Sequence, residues 1–586
     1  MRDSATSRFA AGRLGPARRR RDLRRLVAER FDVLVIGGGV TGAGAAVDAA
    51  SRGLSVALVE ARDLAAGTSS RSSKLVHGGL RYLEQAEFGL VHEAVRERGL
   101  LARRLAPHLV RPVPILVPLP AGTLPARAAR RLWYGAGVAL YDALAGPCGG
   151  VPRHRHLSRT GARRAFPGLR PDAFTGAIRY VDAQVDDARL VVTLARTAAS
   201  LGAAVVTSAR VVGLRQDAGR VTGARVRDLE SGRELDVTAR TVIAATGVWS
   251  DDIAAMLPGT RPGLRVRASK GVHLVVPRSA IAGDTGLILR APPSVLFVLP
   301  WGGHWIIGTT DTDWRLDRCH PAASASDIGY LLAQVNRVLA RPLGPADIES
   351  VYAGLRPLLA GEDEATSALS RRHAVAEPVP GLFVVAGGKL TTYRVMAADV
   401  VDRAARRLGR PVRPSPTAHL PLLGADGWAP LWRDRGALAR RHRLPVGVVE
   451  HLLERYGATA REVLAAVAAA PSLAAPVDGA AEYLAAEVVH AVRAEAALHL
   501  EDVLARRTRI SIEAPHRGEE SARHAATLMA GELGWSPETV EREVTHYLAA
   551  VAAERQSQRM PDDRTADAAR LGAPDVRGTA GDPAAA

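Results

Sequence analysis

Three glycines and one acidic residue near the start of the chain have the types and the spacing that bind a dinucleotide. Gly37, Gly39 and Gly42 follow an apolar, β-branched run at 31–36, and Glu60 ends the next apolar run, 21 residues after Gly39. Glycines let the backbone approach a pyrophosphate at a helix N-terminus, and an acid at this spacing can bind a ribose hydroxyl. The pattern predicts a β-α-β unit that binds a dinucleotide, and it does not separate FAD from NAD.

Two later glycine turns also follow apolar runs that are typical of buried strands. Gly247 follows the run at 241–246, and Gly387 with Gly388 ends the run that starts at 381. A helical pattern follows from Lys389, so this turn is a second strand-to-helix junction, about 350 residues after the first. Such a junction is unexpected in a simple NAD domain. It suits a longer cofactor whose flavin end meets a helix N-terminus.

Lysine is almost absent from the chain. Of 78 basic residues, only Lys74, Lys270 and Lys389 are lysine. Arginine can replace lysine at most surface sites but not where a compact ammonium group is required. All three lysines lie in segments that stand out for other reasons, so they are candidates for function. The alternative is that the lysines lie in these segments by coincidence. Three residues are few, so their placement supports a functional role without establishing it.

The composition predicts a folded protein from a reducing compartment. The 586 residues are 47% hydrophobic and 24% charged, which fits several globular domains and excludes overall disorder. Cys148 and Cys319 form neither a disulfide framework nor a metal-binding pair. We therefore expect a cytoplasmic protein without a metal site.

The net charge is +18, and part of it is concentrated in residues 1–30. We interpret this segment as a basic, disordered arm that meets anionic lipid, nucleic acid or only solvent. Charged residues follow its arginine run, where an export signal needs an apolar stretch. No window reaches the roughly 18 apolar residues of a membrane span. Any contact with a membrane is therefore expected to be peripheral.

In combination and in order, the motifs resemble the FAD-dependent glycerol-3-phosphate dehydrogenases of the respiratory, aerobic type. The resemblance covers residues 31–400, and a weaker match continues through the helical stretch at 416–550. The matching segments are Gly37–Gly44, Glu60, Thr68–Leu83, Val185–Leu190, Ala245–Trp249, Lys270–His273, Gly308–Asp311, Gly354–Pro357 and Gly387–Arg394.

The resemblance implies FAD as the cofactor and indicates the residues that bind it. Hydroxyls and backbone amides of the loop at 68–75 are expected to cover the pyrophosphate and the flavin. Lys389 is expected to face the negative N1 to O2 edge of the flavin. The expected FAD-binding residues are Gly37, Gly39, Gly42, Glu60, Thr68, Ser69, Ser72, Ser73, Leu75, Gly247, Gly387, Gly388, Lys389 and Thr391.

Oxidation of a secondary alcohol needs a base, a substrate clamp and a group that stabilises the reduced flavin. The resemblance makes His273 the base, since imidazole titrates near neutrality. Guanidinium groups are suited to a phosphate dianion. Arg81 and Arg371 are therefore expected at the substrate phosphate, and Arg356 nearer the reacting hydroxyl and the flavin. Lys389 completes the expected catalytic set with His273 and Arg356.

The expected fold is α/β, with a discontinuous Rossmann-like FAD-binding domain interleaved with an antiparallel-sheet substrate domain and followed by an α-helical domain. We expect the FAD-binding domain at 31–110, 191–255 and 351–410, the substrate domain at 111–190 and 256–350, and the helical domain at 416–555. The tail at 556–586 is poor in large apolar residues and, like residues 1–30, is expected to be disordered.

The expected reaction is oxidation of sn-glycerol 3-phosphate to dihydroxyacetone phosphate by hydride transfer to flavin N5, with electrons passed to a membrane quinone. The protein is expected to contact the inner surface of the cytoplasmic membrane, and a homodimer is left open. One alternative is oxygen as acceptor in a glycerol-phosphate oxidase, and another is an amine or hydroxy-acid oxidase. Nucleic-acid binding is not expected, because no basic stretch carries interleaved aromatic residues.

Overall fold

A computed structural model describes residues 2–84, 86–121, 123–146, 149–257, 263–291, 294–360, 372–573 and 575–577, without the side chains of residues 2–6, 81, 84 and 294. Two large β-sheets with their covering helices, followed by a mainly helical C-terminal region, make up this part of the chain. Strands and helices are numbered separately along the chain.

The first sheet has a parallel centre and an antiparallel margin. Its path runs β17-β18-β10-β1-β2-β7, with β9 paired to β10 and β8 to β9. The neighbours from β18 to β7 are all parallel, and both faces of β1 are buried, as expected where helices cover the two sides of a sheet. The eight strands are β1 Arg30–Ile36, β2 Val56–Val59, β7 Ala204–Val206, β8 Ala209–Asp217, β9 Arg220–Asp228, β10 Glu234–Ala244, β17 His373–Val379 and β18 Leu382–Gly387.

The second sheet is antiparallel except where β12 meets β4. Its path runs β15-β11-β14-β13-β12-β4-β6-β3, with β16 paired to β11 and β5 to β6. The ten strands are β3 Leu75–Val76, β4 Arg111–Pro120, β5 Arg155–Ser158, β6 Phe174–Gln184, β11 Val266–Pro277, β12 Gly286–Ala291, β13 Ser294–Trp301, β14 His304–Gly308, β15 Thr312–Trp314 and β16 Ser350–Leu359. The expected pairing of a Rossmann-like domain with an antiparallel-sheet domain is confirmed.

Eleven of the described α-helices precede the C-terminal region. Among them, α3 packs between α8 and α11 and follows β1 directly. They are α1 Arg2–Ala11, α2 Pro16–Ala28, α3 Val40–Ser51, α4 Arg81–Glu84, α5 Phe88–Leu100, α6 Leu124–Ala145, α7 Arg159–Ala165, α8 Asp187–Ser200, α9 Ser250–Ala255, α10 Ala325–Asn336 and α11 Tyr393–Arg406.

The C-terminal region is helical apart from one short hairpin, β19 Pro476–Val477 with β20 Ala480–Leu484. Within the described ranges, no helix of the protein has the length and apolar content to cross a membrane. The helices of this region are α12 Trp428–Arg433, α13 Arg435–His442, α14 Val446–Tyr456, α15 Ala460–Ala469, α16 Ala485–Ala494, α17 Ile510–Glu513, α18 Glu519–Leu533, α19 Pro537–Ser557 and α20 Asp563–Arg570.

The predicted domain ranges differ from the observed sheets at two places. Strand β3 lies in the range 31–110 that was assigned to the FAD-binding domain, but it pairs with β6 of the second sheet. Residues 351–410 were assigned to the FAD-binding domain, but β16 pairs with β11 over ten residues and belongs to the second sheet. The chain returns to the first sheet only at β17. The prediction placed this crossing too early, because the partner strand lies about 80 residues earlier and leaves no local signal.

Residues 2–28 form α1 and α2, so the expectation of a disordered arm is wrong for them. Asp22 is fully buried and accepts hydrogen bonds from Arg18 Nε (2.7 Å) and from Val205 N (3.2 Å). Arg18 also donates to Ala203 O at 2.8 Å, and Leu26 packs in the core of the first sheet. The arginines of this segment therefore bind backbone and carboxylate groups of distant parts of the chain, which the sequence alone does not reveal.

The described part of the tail is also ordered, against the expectation. Helix α20 buries Ala566, and the following segment buries Arg577, whose Nη2 donates to both carboxylate oxygens of Asp502 at 2.6 Å. Asp575 accepts from Arg62 Nε at 2.9 Å. The low content of large apolar residues had indicated disorder. Ion pairs, and not apolar packing alone, hold this segment in place.

Candidate active site

A large cavity of about 1270 Å³ is lined by residues of both sheets. Ligand cavities usually enclose about 300–1000 Å³, so this one has room for a dinucleotide together with a small substrate. The carboxyl ends of the parallel strands β1, β2, β10 and β18 open into it, which is where open α/β sheets bind ligands. Every expected FAD-binding residue except Gly42 lines its wall.

The glycine loop after β1 fits the close backbone approach that a pyrophosphate requires. Gly37 has φ +108°, and a Cβ there would lie 2.6 Å from the carbonyl oxygen of Ala245. A Cβ on Gly42 would lie 1.9 Å from the carbonyl oxygen of Gly37, so Gly42 allows the strand and helix to pack. Gly39 caps α3 and lines the cavity. The N-terminus of α3, which carries a partial positive charge, therefore meets the cavity.

Glu60 stands at the end of β2, on the same wall. Its carboxylate accepts hydrogen bonds from the backbone N of Gly38 (2.5 Å) and of Arg62 (2.8 Å). Burial raises the pKa of Glu60, and those two backbone hydrogen bonds oppose the rise. The carboxylate is thus fixed beside the glycine loop on the cavity wall.

The serine-rich loop at 68–75 lines the cavity, but most of its hydroxyl groups bind protein atoms. Thr68 Oγ1 donates to Leu355 O at 2.6 Å, and Ser72 Oγ donates to Asp187 Oδ2 at 2.7 Å. Ser69 Oγ accepts from Val40 N, in the first turn of α3, at 3.0 Å. The loop is therefore held rigidly against three different elements of the fold.

Lys389 lies at the second glycine junction, after β18. Gly387 and Gly388 have φ values of +77° and +78°, and Lys389 caps the short helical turn that leads into α11. Its Nζ is 3.7 Å from the centre of the Tyr82 ring. Thr391 Oγ1 accepts from the backbone N of His77 and donates to its O, which ties the junction to the loop before α4.

His273 projects into the cavity from β11 and is almost fully buried. Its ring stacks on Tyr352 with centroids 4.7 Å apart and 11° between the planes. Nε2 lies 2.8 Å from Ser73 Oγ, and Nδ1 is buried with no hydrogen-bond partner among the described residues. Burial, followed by the positive charges of Arg356 and Lys74, lowers the pKa of His273 well below its ordinary value. The imidazole is neutral at pH 7.

Arg356 lies on β16, the neighbour of β11, and also lines the cavity. Its Nη2 donates to Thr309 Oγ1 at 2.8 Å and to Thr310 O at 3.0 Å, while Nη1 donates to Ser269 Oγ at 3.2 Å. Asp311 Oδ1 is 3.7 Å from Nη1. These contacts fix the guanidinium group beside the strand that carries His273.

The structure separates the three lysines. Lys74 and Lys270 are fully buried in ion pairs, with Asp187 at 2.9 Å and with Asp327 at 2.6 Å, and neither lines the cavity. Successive side chains of a strand point to opposite faces, so Lys270 and His273, three residues apart on β11, face opposite ways. Within the described ranges, Lys389 is the lysine that lines the cavity.

Two predicted substrate residues fall outside the described side chains. Arg81 begins α4 beside Tyr82, but its side chain is not described, and Arg371 lies outside the described residues.

Sequence reasoning assigned no role to several residues that shape this end of the cavity. Tyr352 stacks on His273, and Thr309 and Asp311 hold Arg356. Gly308 is also required, since a Cβ there would lie 2.3 Å from the His273 ring. The segment Gly308–Asp311 was one of the motifs that match the family, and this match could have indicated a role for Gly308, Thr309 and Asp311. No sequence pattern indicated a role for Tyr352.

Two glycine junctions at the strand ends of a Rossmann-like sheet, with an antiparallel sheet over the same cavity, define a flavoprotein oxidoreductase. The family model "FAD dependent oxidoreductase" matches residues 32–403, and the model "C-terminal domain of alpha-glycerophosphate oxidase" matches residues 415–540. Glycerol-3-phosphate dehydrogenase 2 of Mycobacterium tuberculosis is 55% identical over 569 residues, which cover 97% of this chain and 96% of the relative.

More distant relatives agree. The mitochondrial glycerol-3-phosphate dehydrogenase of Mus musculus is 38% identical and covers 86% of this chain and 71% of its own length. The X-ray structure of glycerol-3-phosphate dehydrogenase from Bacillus halodurans, complexed with FAD, matches with a TM-score of 0.75 and 28% identity, over 92% of this chain and 97% of that chain. The chain belongs to the FAD-dependent glycerol-3-phosphate dehydrogenase family, and its cofactor is FAD.

Proposed function

We propose that this protein oxidises sn-glycerol 3-phosphate to dihydroxyacetone phosphate and passes the electrons to a membrane quinone. The observation that carries the proposal is a neutral, buried imidazole beside a fixed arginine on the wall of the cavity that the glycine loop also lines. Relatives that match nearly the whole chain are named glycerol-3-phosphate dehydrogenase, which supports the choice of substrate.

His273 is proposed as the base that takes the hydroxyl proton of the substrate. Nδ1 is buried, so Nε2 is the ring atom that a substrate hydroxyl approaches, next to Ser73 Oγ. The lowered pKa of His273 keeps the ring neutral at pH 7, and the tautomer with its proton on Nδ1 leaves Nε2 as the proton acceptor. Stacking on Tyr352 holds the ring in one plane, so the proton acceptor does not have to be reoriented for reaction.

FAD, when bound, supplies N5 as the acceptor of the hydride that leaves the substrate carbon. The glycine loop, Glu60 and the loop at 68–75 are proposed to hold it, with Lys389 at the edge where negative charge accumulates. Loss of the carbon-bound hydrogen as a hydride, which carries both electrons, and of the hydroxyl hydrogen as a proton together leaves the ketone.

Arginines are proposed to hold the phosphate end of the substrate. Arg81 and Arg371 are proposed at the phosphate by resemblance, and Arg356 nearer the reacting hydroxyl. Fixed guanidinium groups supply several directed donors, which suits a phosphate dianion better than a single ammonium group.

A quinone is proposed as acceptor because apolar side chains line part of the cavity wall near Lys389. Leu80, Ile288, Val295 and Phe297 form this wall, and Phe297 lies edge-on to His77 with centroids 6.3 Å apart. A lipid-soluble acceptor fits such a surface, whereas oxygen needs no apolar docking wall. The same proposal includes peripheral contact with the inner face of the cytoplasmic membrane.

An anaerobic spectroscopic titration tests the choice of substrate. The FAD-loaded protein is mixed with glycerol 3-phosphate, glycerol or lactate, and the flavin absorbance near 450 nm (an approximate, general property of flavins) is followed. We expect bleaching by glycerol 3-phosphate only. Bleaching by lactate or by an amine would instead indicate an oxidase of the wider flavoprotein class.

An acceptor assay tests the quinone. The reduced protein is mixed with a short-chain quinone or with oxygen, and the rate of flavin reoxidation and the release of hydrogen peroxide are measured. Rapid reoxidation by quinone with little peroxide is expected. Fast, stoichiometric peroxide release would support a glycerol-phosphate oxidase.

A further inference from the structure

Helix α6 presents an apolar stripe to solvent. Leu132, Trp133 and Leu140 are 75%, 64% and 40% exposed, and they account for three of the nine large hydrophobic side chains that are exposed in the described part of the protein. The stripe follows the helical spacing of three and four residues. It consists of Ala129, Leu132, Trp133, Ala136, Ala139, Leu140 and Ala143, all of them exposed.

The opposite face of α6 is the one that packs on the protein. Gly135, Val138, Tyr141 and Ala145 are buried there. A surface helix normally turns its apolar side to the core and its charged side to water. Helix α6 is apolar on both sides over its last three turns, so its outer stripe is left without a partner within the described protein.

Basic residues adjoin the stripe at its N-terminal end. Arg127, Arg130 and Arg131 are exposed, and no acidic residue occurs in α6 before Asp142. Asp142 is itself engaged by His154 Nδ1 at 2.7 Å. A helix with exposed leucine and tryptophan beside several arginines is typical of segments that lie in the interface of an anionic bilayer.

We infer that α6 is the surface by which this protein seats on a membrane that contains anionic lipids. The inference rests on the proposed membrane contact and adds its location. A second copy of the chain is the rival occupant, but its α6 offers no unpaired carboxylate to the three arginines. Anionic headgroups match them, and the acyl region matches the apolar stripe.

The location also connects the membrane to the cavity. The inner face of α6 shares a hydrophobic cluster with Leu80, Tyr82, Ile288 and Phe297, which line the cavity. Tyr141 Oη accepts a hydrogen bond from Gly78 N at 2.7 Å. A protein seated on α6 therefore brings the apolar wall of the cavity towards the bilayer, where a lipid-soluble acceptor is dissolved.

A vesicle-binding experiment with the FAD-loaded, full-length protein tests this inference. The test variant is Leu132→Ser with Trp133→Ser, and the matched control is Leu548→Ser, which changes an exposed leucine of α19. Each protein is sedimented with vesicles of phosphatidylcholine, with or without one quarter phosphatidylglycerol. Oxidation of glycerol 3-phosphate is measured in parallel with a water-soluble dye as acceptor.

We expect the wild-type and control proteins to bind the anionic vesicles and the double variant to bind at least tenfold more weakly. Dye reduction is expected to stay within twofold for all three, because the substituted side chains point away from the cavity. Replacing Arg127, Arg130 and Arg131 with glutamine is expected to abolish the preference for phosphatidylglycerol.

Three results would overturn the inference, and they are distinguishable. Equal vesicle binding by the double variant would remove α6 from the membrane surface while leaving the membrane contact in place. Failure of the wild-type protein to bind any vesicle would overturn the membrane contact as well, although dye reduction would still report the dehydrogenase activity. A dimer in solution that the double variant alone converts to a monomer would assign α6 to a second copy.

Discussion

The three lysines of the chain differ in the groups that face their ammonium nitrogen. Two of them are buried outside the cavity, and the third lines it. Lys74 and Lys270 meet carboxylates of the protein at hydrogen-bonding distance. Lys389 lines the cavity and lies against the face of Tyr82. The same residue type therefore has different surroundings inside and outside the cavity.

The same contrast separates two larger regions. Where the C-terminal helices meet the first sheet, arginines are matched to carboxylates, as Arg507 is to Asp63 at 2.6 Å. At the cavity, His273 is neutral and its positive neighbours raise the cost of protonation. Charge pairs thus connect the C-terminal helices to the first sheet, whereas burial and positive neighbours keep His273 neutral at the cavity.

The largest effect is expected from His273→Ala. Removing the base should slow flavin reduction by glycerol 3-phosphate by about two to four powers of ten. FAD binding should persist, because Glu60 and the glycine loop are on other strands. Anaerobic stopped-flow absorbance measures the rate, and the flavin content of the purified variant is the control. An unchanged rate would remove His273 from the role of base.

The pH dependence of the wild-type protein sharpens the same assignment. A lowered pKa means that His273 remains deprotonated as the pH falls from 8 to about 6.5. Flavin reduction at saturating substrate should therefore be insensitive to pH in this range. A loss of rate with a midpoint near pH 6.5 would contradict the neutral, buried imidazole.

Lys270→Met is expected to change stability and not chemistry. The substitution leaves Asp327 buried without its ammonium partner, which should cost on the order of 3 kcal/mol of unfolding free energy. Thermal unfolding with excess FAD measures the loss. Flavin reduction should stay within about threefold of wild type, since the side chain faces away from His273. A large loss of rate at unchanged stability would place Lys270 in the site.

Arg577→Ala is expected to weaken FAD retention. Arg577 anchors the tail on Asp502, and the tail residues Asp575 and Arg577 line the cavity near Glu60. The dissociation constant for FAD should rise about tenfold, equivalent to roughly 1.4 kcal/mol, as measured by flavin fluorescence. Arg564→Ala, an exposed site on α20, is the matched control and should bind FAD as the wild type does.

The last effect is on stability alone and concerns His499, at the contact between α19 and the first sheet. Burial and Arg577 oppose its charge, but hydrogen bonds to Glu230 and Glu543 raise the pKa of His499 to about 9. A raised pKa gives stability that is complete below about pH 6.5 and is lost as the pH rises through 9.

His499→Gln should therefore reduce the loss of stability between pH 7 and pH 10, by on the order of 2 kcal/mol. Chemical unfolding at both pH values measures it. If the wild-type protein and the variant lost the same unfolding free energy between pH 7 and pH 10, the charge of His499 would not stabilise the contact between α19 and the first sheet.

Local patterns predicted the cofactor half of the fold well. The β-branched run, the glycine spacing and Glu60 are all within 30 residues, and the structure has the strand, helix and strand in that order. Side chains alternate between the two faces of β11, so Lys270 and His273 lie on opposite faces. The scarcity of lysine had made Lys270 a candidate for function, and it does not show which face the residue occupies. Period and spacing are local properties, so the sequence reveals them.

Long-range pairing was not predictable in the same way. Ser73 lies 200 residues from His273, and Tyr352 and Arg356 reach the site only because β16 pairs with β11. Residues 2–28 and the described part of the tail after 556 are ordered by hydrogen bonds and ion pairs with partners elsewhere in the chain. Their composition indicated disorder because no local property of a charged segment shows whether a distant partner exists.

The most direct test of the account is anaerobic single-turnover reduction of the flavin in three proteins saturated with FAD: wild type, His273→Ala and Lys270→Met. Glycerol 3-phosphate is the substrate, and glycerol is the control without phosphate. We expect similar, rapid bleaching of the wild type and Lys270→Met, at least a hundredfold slower bleaching of His273→Ala, and no bleaching by glycerol. A wild-type flavin that glycerol 3-phosphate does not reduce, or a His273→Ala protein that reacts at the wild-type rate, would contradict it.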